Sequence, residues 1–527
     1  MKTQKAYGVF QQKRVVGDLK MAASTMDRFY SEPLDVHKWS HHPEIKQLTD
    51  KLYAELDLKE LESKSNNKRG ASPKTMLRVL LLDLYVRWLK DPELSTGFQK
   101  TVNHYKSKSR YNKLFIGRKV INVEQILEHA GYLDILPHFN NRTGAGRSFS
   151  TRIRPSHKLQ SMFKDLSIEL HDIDHNYMSE CIILREKFYD EEGYNNTTID
   201  IEYDDNDYTN TMRKQLEAYN NLLRMTFIDL PSFGTPYFTR EITKGWRRGE
   251  KVNISIGPDN KFVRRVFSGG VEGAWKLNGR FYGGWWQQID KEQRGQIYIN
   301  DHPTYEYDLK ALHPNLLSNI EGIELPADPY TVPQIIIPDV KPQQQRQYVK
   351  LLVLMAINAE SPEDAFAAFR DNDRNDKVAA TLKNNELMKL LSAFFQLHPH
   401  MEKHLCKGKG LELMGIDAQI ANMVIDYFTK KNITVLCIHD SFIVDVTFGE
   451  ELKQVVEQAT YQLTGYKISQ ELKNKRNTTT HKVVGNIKGF EEAKELQSHR
   501  PIKVPLTPEY IIRRNKFMNW IKLNENE

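Results

Sequence analysis

The sequence predicts an α+β protein built from more than one domain, and three observations support this class. A chain of 527 residues exceeds the usual size of a single hydrophobic core, so we expect two or three domains. Helical periodicity, as in residues 72–90, occurs beside hairpin-like alternation, as in residues 133–156. The composition, with 39% hydrophobic and 27% charged residues, is typical of a globular chain with substantial cores.

Several classes of protein are excluded by what the sequence lacks. No apolar run approaches the ~18 to 20 residues of a membrane span, and the first twenty residues lack the apolar core of a signal peptide. Cys181, Cys406 and Cys437 lie far apart, which argues against a disulfide framework or a zinc cluster. We therefore expect a cytoplasmic protein without a membrane partner; its protein partners are not predicted.

Positive charge is clustered along the chain rather than spread evenly. The net charge is +7 and the pI is about 8.9, which is only modestly basic. However, residues 140–163 carry no acidic side chain while arginines recur, and residues 473–482 and 511–516 form a second basic region. Clustered cations among polar groups are typical of a surface that contacts a phosphate backbone.

The N-terminal third resembles a winged-helix DNA-binding domain. Residues 1–70 form a polar extension with a helix near 42–58, and residues 71–165 then begin with a helix capped by Ser72. Two further helices are predicted, one at 109–115 and one that begins at Asn122 and is stopped by Gly131, and a basic hairpin follows. The resemblance implies that Val120 to Ala130 is the recognition helix. A solvated hairpin that packs on the catalytic domain is the alternative. The implied phosphate contacts of the wing are Arg142, Arg147, Arg152 and Arg154.

Two aspartates each follow a strand-like run in the second half of the chain. Asp308 ends "TYEYD" just before a helical pattern, and Asp440 lies in "VLCIHDSFIVDV" between two apolar runs. If these strands are neighbours, the two carboxylates converge. Paired aspartates that hold two Mg²⁺ ions, or Mn²⁺ in their place, are the requirement of two-metal phosphoryl transfer. A polar residue in a tight turn is the simpler alternative for Asp440.

A helical pattern between the two aspartates carries two cations on one face. Arg346 and Lys350 are four residues apart in "QQQRQYVKLLVLMAINAES" and so share one stripe of the helix. Such a stripe can hold a nucleoside triphosphate while the apolar face packs. The alternative is ordinary charge on a helix surface.

The order of these elements resembles the core of DNA polymerase I-like (family A) polymerases and single-subunit phage-type RNA polymerases. An arginine-aromatic segment, an acid on a strand, the Arg346–Lys350 helix and a His-Asp hairpin follow one another over residues 260–465. The resemblance implies a right-hand fold, with an antiparallel palm sheet, helical fingers and thumb-like elements. It divides the remaining chain into a connecting or thumb-like region at 166–259 with an acidic loop, a palm and fingers at 260–470, and a basic tail at 471–527.

The resemblance also implies roles for individual residues. Asp308 and Asp440 would be the catalytic metal ligands, and Arg346 and Lys350 would hold the phosphates of the incoming nucleotide. His313 and Asn358 would lie beside that nucleotide. The tryptophans Trp285 and Trp286 fit base stacking and core packing equally well. The implied contacts with template and primer are Arg280, Gln287, Gln288, Arg294, Gln419 and His439, although a core role for His439 is the favoured alternative.

Four positions depart from the family pattern. Ser441 follows Asp440 where family A DNA polymerases have Glu, and "HDSF" is the form typical of single-subunit RNA polymerases. Asn358-Ala359 replaces the Tyr-Gly that ends the fingers helix, and His313 replaces the Glu that screens the ribose 2′-OH. The choice between deoxyribose and ribose therefore stays open.

The leading hypothesis is a template-directed DNA polymerase of phage or mobile-element type that acts on a DNA template-primer and nucleoside triphosphates. A DNA-dependent RNA polymerase with the same core is the nearest alternative, and template-independent nucleotide addition is another. A non-catalytic DNA-binding replication initiator with a degenerate palm belongs to a different class of protein.

Overall fold

The computed structural model describes residues 26–62, 70–101, 104–140, 148–174, 179–189, 196–242, 249, 251–271, 273–372, 377–473, 476–487 and 490–524. Helices and separate, mostly antiparallel sheets confirm the α+β class. The chain forms two compact units, Met1–Glu180 with Gly257–Asp259 and Cys181–Ile256 with Asn260–Glu527. Within the described ranges, no helix has both the length and the apolar character needed to cross a bilayer. The five-part division of the chain stays a prediction.

The described residues of the first unit form four helices and one small sheet. The sheet has the order β1-β2-β4-β3, in which the β1–β2 pair is parallel and the other pairs are antiparallel. The β3–β4 pair is the hairpin predicted from the sequence. The helices are α1 (Pro43–Glu55), α2 (Pro73–Lys90), α3 (Lys119–His129) and α4 (His157–Lys164), and the strands are β1 (Ser31–Pro33), β2 (Ser95–Phe98), β3 (Leu133–Leu136) and β4 (Thr151–Pro155).

Helix α2 is the centre of this unit, and it begins where the sequence predicts. Ser72 Oγ accepts a hydrogen bond from the backbone N–H of Thr75 at 3.1 Å, and Pro73 occupies the first helical position. Asp83 lies on the buried side of α2, where its carboxylate pairs with Arg87 and Lys38. A fully buried carboxylate needs such partners because desolvation disfavours an isolated charge.

The helix predicted at 109–115 is wrong, because a side chain satisfies the backbone there instead. Asn112 Oδ1 accepts from the backbone N–H of Ile116 at 3.0 Å, and Asn112 Nδ2 donates to the carbonyl of the same residue at 2.8 Å. Asn competes with helix formation in this way. Phe115 also has φ of 55°, a left-handed conformation that a helix cannot contain. The segment is therefore a series of turns.

The second unit contains the remaining helices and four sheets. Its largest sheet has the order β14-β15-β13-β12-β7, and β16 also pairs with β13. A second sheet has the order β11-β10-β5-β6, and β8–β9 and β17–β18 form separate pairs. The strands are β5 (Ile182–Tyr189), β6 (Asn196–Asp200), β7 (Ile228–Asp229), β8 (Tyr237–Glu241), β9 (Lys251–Ser255), β10 (Val263–Ser268), β11 (Leu277–Gly283), β12 (Tyr298–Ile299), β13 (His302–Leu309), β14 (Val435–Ile438), β15 (Ser441–Asp445), β16 (Gln470–Leu472), β17 (Arg476–Ile487) and β18 (Phe490–Arg500).

The helices of this unit bury one continuous apolar core against the largest sheet. A smaller cluster forms where Tyr510, Phe517 and Trp520 of the last helix pack on Phe227. The helices are α5 (Asp207–Arg224), α6 (Lys291–Arg294), α7 (Leu312–Ile320), α8 (Pro342–Asn358), α9 (Pro362–Asn372), α10 (Asn384–Leu397), α11 (Gly410–Lys430), α12 (Gly449–Thr464) and α13 (Pro508–Asn524).

Helix α11 approaches strand β11 more closely than any side chain at Gly415 would permit. A Cβ added to Gly415 would lie 2.2 Å from the backbone carbonyl oxygen of Lys276. The missing side chain therefore lets the helix lie directly on the strand. This contact matters because α11 and β11 each carry a residue of the candidate site.

Candidate active site

The two aspartates singled out in the sequence meet on adjacent strands of the largest sheet. Strands β13 and β15 are antiparallel, and their register places Asp308 directly opposite Ser441. Asp440 immediately precedes Ser441, and its carbonyl oxygen accepts from the backbone N–H of Leu309 at 3.0 Å. The sheet thus brings together residues that are 132 positions apart in sequence.

A tight turn presents Asp440 at the end of the β14–β15 hairpin. Ile438 pairs with Ser441, so only His439 and Asp440 form the loop. His439 has φ of 57°, a conformation usually left to Asn or Gly in such turns. Its half-buried ring packs edge-on against Tyr282 at 5.5 Å between ring centroids, and its role toward nucleic acid stays a prediction. Burial, followed by the nearby charge of Arg280, lowers the pKa of His439.

The electrostatics of the aspartate pair suit a divalent cation. Burial raises the pKa of Asp440 to about 6, and the negative charge of Asp308 adds to the effect. Asp308 is held on both sides: its Oδ1 accepts from Ser441 Oγ at 2.7 Å, and its Oδ2 pairs with Lys473 Nζ at 2.9 Å. Two adjacent carboxylates that repel each other are an all-oxygen donor set of the kind that Mg²⁺ prefers. The residues present therefore fit the expected metal.

No described part of the chain places three or more His, Cys, Asp or Glu side chains together in an arrangement that could hold a metal ion. A magnesium site built on one or two carboxylates is nevertheless common, because substrate phosphates and water complete the octahedron. The pair Asp308 and Asp440 therefore corresponds to a site of this partly open kind, in which ligands from outside the protein complete the coordination, and not to a site built from protein ligands alone.

A buried polar network lies beside the aspartate pair and contains two of the predicted residues. Asp417 of α11 accepts from Arg280 of β11 through both carboxylate oxygens, with Nε distances of 3.0 and 2.9 Å. The same carboxylate contacts His313 Nε2 of α7 at 2.9 Å. Burial opposes the charge of Arg280, but the hydrogen bonds to Asp417 outweigh it and raise the pKa of Arg280. Arg280 and His313 are thus locked together near Asp440.

The predicted phosphate-binding cations are gathered around one buried tyrosine. The guanidinium of Arg346 lies 5.9 Å from the centroid of the Tyr330 ring, and Lys350 Nζ lies 6.0 Å from it. Burial raises the pKa of Tyr330 to about 12, and Asp440 contributes to this shift. Tyr330 is therefore within electrostatic reach of both Arg346 and Asp440.

Arg346 is already engaged by a carboxylate. Its Nε and Nη2 donate to the two carboxylate oxygens of Asp328 at 2.7 and 2.8 Å. The hydrogen bond from Arg346, more than any other cause, lowers the pKa of Asp328 to about 2. Asp328 also lines a cavity of about 380 Å³ together with Pro329, Leu397 and His398. Lys350, by contrast, is exposed on α8.

Three predicted nucleic-acid contacts serve the local structure. Gln287 donates to two backbone carbonyls at 3.1 and 2.9 Å, and Gln288 donates to Asn260 Oδ1 at 3.2 Å. Arg294 pairs with the buried Glu306 at 3.2 Å. These side chains fix the segment that leads into β13. Their roles toward nucleic acid stay predictions.

The remaining predicted residues of this unit are divided between the surface and the core. Gln419 on α11 and Asn358 at the end of α8 are exposed, and Asn358 Nδ2 donates to the carbonyl of Leu354 at 2.9 Å. Trp285 and Trp286 are fully buried, which places the pair in the core and rules out base stacking in this arrangement.

Two of the four arginines predicted for the N-terminal wing are buried, whereas an exposed wing would present them to solvent. Arg142 and Arg147 lie outside the described residues. Arg152 is buried on β4 and donates to the carbonyl of Arg28 at 2.9 Å, and the equally buried Arg154 pairs with Glu93. As placed here, Arg152 and Arg154 stabilise the sheet and offer no free guanidinium to phosphates.

Sequence reasoning missed several residues of the site. Lys473 was noted only as part of a basic tail, and Glu471, which it contacts, carried no signal of its own. Asp417 lies two residues before Gln419 and is not among the residues predicted for the site. A carboxylate among apolar neighbours at helical spacing, as in "MGIDAQIANMV", was the available signal for Asp417.

Comparisons with known proteins add little. No protein-family model matches the chain, and no curated protein matches it. Among solved structures, the chain is similar to the POL domain of Pol1 from M. smegmatis, solved in complex with DNA primer-template and dNTP, at 11% sequence identity and a TM-score of 0.27. The similarity covers 37% of this chain and 45% of that chain, so the match spans less than half of the neighbour. The side chains described above, and not this similarity, are the basis for any function.

Proposed function

We propose that the chain is a template-directed nucleotidyltransferase with a right-hand polymerase core, in which the sheet containing β13 and β15 is the palm. The observation that carries the proposal is the meeting of Asp308 and Asp440 on that sheet, with Arg346 and Lys350 gathered around a tyrosine within electrostatic reach. Separated acids that converge beside a cationic helix are what phosphoryl transfer from a nucleoside triphosphate requires.

Asp308 and Asp440 would hold two Mg²⁺ ions, and Mn²⁺ could replace them. When bound, the ions supply a lowered pKa for a primer 3′-OH and neutralise charge on the leaving pyrophosphate. Ser441 fixes the orientation of the Asp308 carboxylate through the hydrogen bond described above. Preorganisation of this kind lowers the reorganisation needed at the moment of reaction.

Arg346 and Lys350 would hold the triphosphate of the incoming nucleotide. Arg346 presents a planar fork that suits phosphate oxygens, and Lys350 adds a flexible point charge one turn further along α8. Tyr330 lies beneath both cations and limits the volume that they can explore. Catalysis in this class of enzyme consists mainly of positioning and charge stabilisation.

Primer extension tests this proposal. We expect Asp308→Asn and Asp440→Asn each to abolish Mg²⁺-dependent extension of a primed DNA template, because each removes a cation ligand. Asp426→Asn is the matched control, since Asp426 of α11 forms an ion pair with the exposed Lys430 and should leave extension unchanged. Undiminished incorporation by either active-site variant would refute the assignment.

An RNA polymerase with the same core is the second candidate, because Ser441 occupies the position after Asp440 and bonds Asp308 directly. Separate supply of rNTPs and dNTPs on one primed template distinguishes the two enzymes. Homopolymer growth on an oligonucleotide without template would instead indicate end addition. DNA binding without incorporation under any nucleotide supply would indicate a replication initiator.

The first unit would recruit the enzyme to duplex DNA, with α3 as the recognition helix. This part of the proposal rests on α3 being followed directly by the β3–β4 hairpin, and on the arginines of that hairpin. Since Arg152 and Arg154 are buried, the proposed phosphate contacts are confined to Arg142 and Arg147.

A further inference from the structure

Strand β16 adds a charged pair of residues to the edge of the aspartate site. It pairs with β13 on the side opposite β15, and the register places Glu471 directly opposite Asp308. Residues that are directly opposite in antiparallel strands project from the same face of a sheet. Ser441, Asp308 and Glu471 therefore form a row across three strands.

Lys473 follows β16 and bridges two carboxylates of this row. Its Nζ lies 2.9 Å from Asp308 Oδ2 and 2.6 Å from Glu471 Oε2, and its backbone N–H donates to the carbonyl of Glu306 at 2.9 Å. Burial disfavours the ammonium charge, but the hydrogen bonds to Glu471 and Asp308 outweigh it and raise the pKa of Lys473. The side chain is therefore a fixed cation that contacts a proposed metal ligand.

We propose that Glu471 and Lys473 set the affinity of the aspartate pair for divalent cations: Lys473 is a resident cation on Asp308 that the incoming cation displaces, and Glu471 is the acceptor that holds Lys473 once it has moved. The inference rests on the proposed function for the identity of the metal ligands. It goes further because it assigns a role in cation exchange to two residues beyond the aspartate pair.

The contacts of Lys473 with Asp308 and Glu471 favour exchange of Lys473 for a divalent cation over a purely structural ion pair at the edge of the sheet. Lys473 lies nearer to Glu471 than to Asp308, so a second acceptor is in place before Asp308 is released. The side chain of Glu471 is 48% exposed while that of Asp308 is 23% exposed, so the displaced ammonium moves toward water. A cation that leaves Asp308 thus loses neither its carboxylate partner nor its hydration.

Substitutions of Lys473 and Glu471 are expected to change the affinity for divalent cations in opposite directions, and the effect of one should depend on the presence of the other. Lys473→Met removes a competing positive charge next to Asp308 and should tighten divalent-cation binding by about tenfold. Glu471→Gln leaves Asp308 as the one carboxylate among the described residues that pairs with Lys473, and it should weaken binding by a similar factor. In the Lys473→Met background, however, Glu471→Gln should change the affinity by less than about threefold, because the cation that Glu471 receives is gone.

Mn²⁺ binding to the full-length protein, followed by the electron paramagnetic resonance signal of free Mn²⁺ without nucleic acid or nucleotide, tests this inference. Lys467→Met is the matched control, since Lys467 pairs with the surface Glu457 and should leave Mn²⁺ affinity unchanged. Lys473→Arg keeps the charge and should restore near-original affinity. Lys473→Gln, which removes the charge as Lys473→Met does, should also tighten Mn²⁺ binding and serves as the test if Lys473→Met does not fold.

The outcomes separate the inference from the proposed function. Mn²⁺ binding that requires Asp308 but is indifferent to Lys473→Met, or equal effects of Glu471→Gln in both backgrounds, would overturn the inference alone. Mn²⁺ binding that survives Asp308→Asn would overturn the metal assignment and the inference together. If the variants of Lys473 and Glu471 change thermal stability without any change in Mn²⁺ affinity, the contact between these two residues is a structural ion pair and the inference is wrong.

Discussion

Gly415→Ala should both destabilise the second unit and disturb the candidate site, because α11 lies on β11 with no room for a methyl group. The added Cβ would lie 2.2 Å from the carbonyl oxygen of Lys276, whereas ordinary contact begins at 3.4 Å. The clash is with backbone, which cannot rotate away as a side chain can. Helix α11 must therefore recede from β11 by about 1 Å.

The free-energy cost follows from this geometry. Overpacking a well-packed contact costs about 1 to 3 kcal/mol, and a rigid backbone neighbour puts Gly415→Ala near the upper end, at about 3 kcal/mol. The same displacement separates Asp417 on α11 from Arg280 on β11. Their Nε–carboxylate distances of 3.0 and 2.9 Å would lengthen to about 4 Å, beyond hydrogen-bonding range.

Urea denaturation and primer extension of the same preparation measure the two effects. Gly234→Ala is the matched control, because the atom nearest to the added Cβ would be Oε2 of Glu509, at an ordinary contact distance of 3.8 Å. It should change the free energy of unfolding by less than about 0.5 kcal/mol. If Gly415→Ala unfolds with the stability of Gly234→Ala, the close approach of α11 to β11 is not a feature of the folded protein.

Three further substitutions have expected outcomes. Asp417→Asn removes the partner of the largely buried Arg280 and should cost about 3 to 5 kcal/mol of unfolding free energy in urea, whereas Asp426→Asn on the same helix should cost almost nothing. Asp328→Asn frees Arg346 from a partly exposed pair worth about 1 kcal/mol after solvent screening and should lower the KM for nucleotide by about fivefold; a raised KM would show that Asp328 orients Arg346 instead. Burial raises the pKa of Glu124 in α3 to about 7, so the protein should lose stability as pH rises from 4.5 to 7. Glu124→Gln should therefore raise the calorimetric Tm at pH 8 but not at pH 4.5, and a pH-independent difference would contradict this.

Local patterns in the sequence predicted those parts of the fold that are determined locally. Ser72 and Pro73 mark the start of α2, and Gly131, with φ of 80°, follows the end of α3. The hairpin around Asp440 was predicted from two short apolar runs and a polar pair. In each case the deciding interactions lie within a few residues of one another, so the sequence contains them directly.

The sequence did not predict the structure where a side chain forms the hydrogen bonds that backbone groups would form in a helix. It also did not predict contacts between residues that are distant in sequence. Asn112 replaces a helix with turns, although "SRYNKLF" has a helical pattern. The sequence does not decide between base stacking and core packing for Trp285 and Trp286. Their burial depends on contacts with residues more than 100 positions away, such as the hydrogen bond from Trp286 to the carbonyl of Cys437. The approach of Lys473 to Asp308 depends on the register of β16 against β13, which no local pattern determines.

The serine at position 441 bears most directly on whether the site is active. Family A DNA polymerases have Glu where this sequence has Ser441, and that departure is the basis for the alternative of a degenerate palm. In this fold, residue 441 is directly opposite Asp308, and Ser441 Oγ donates to that carboxylate at 2.7 Å. The hydroxyl thus gives the Asp308 carboxylate a hydrogen-bond donor that fixes its orientation. A serine at position 441 therefore leaves both acids of the pair in place and orients one of them.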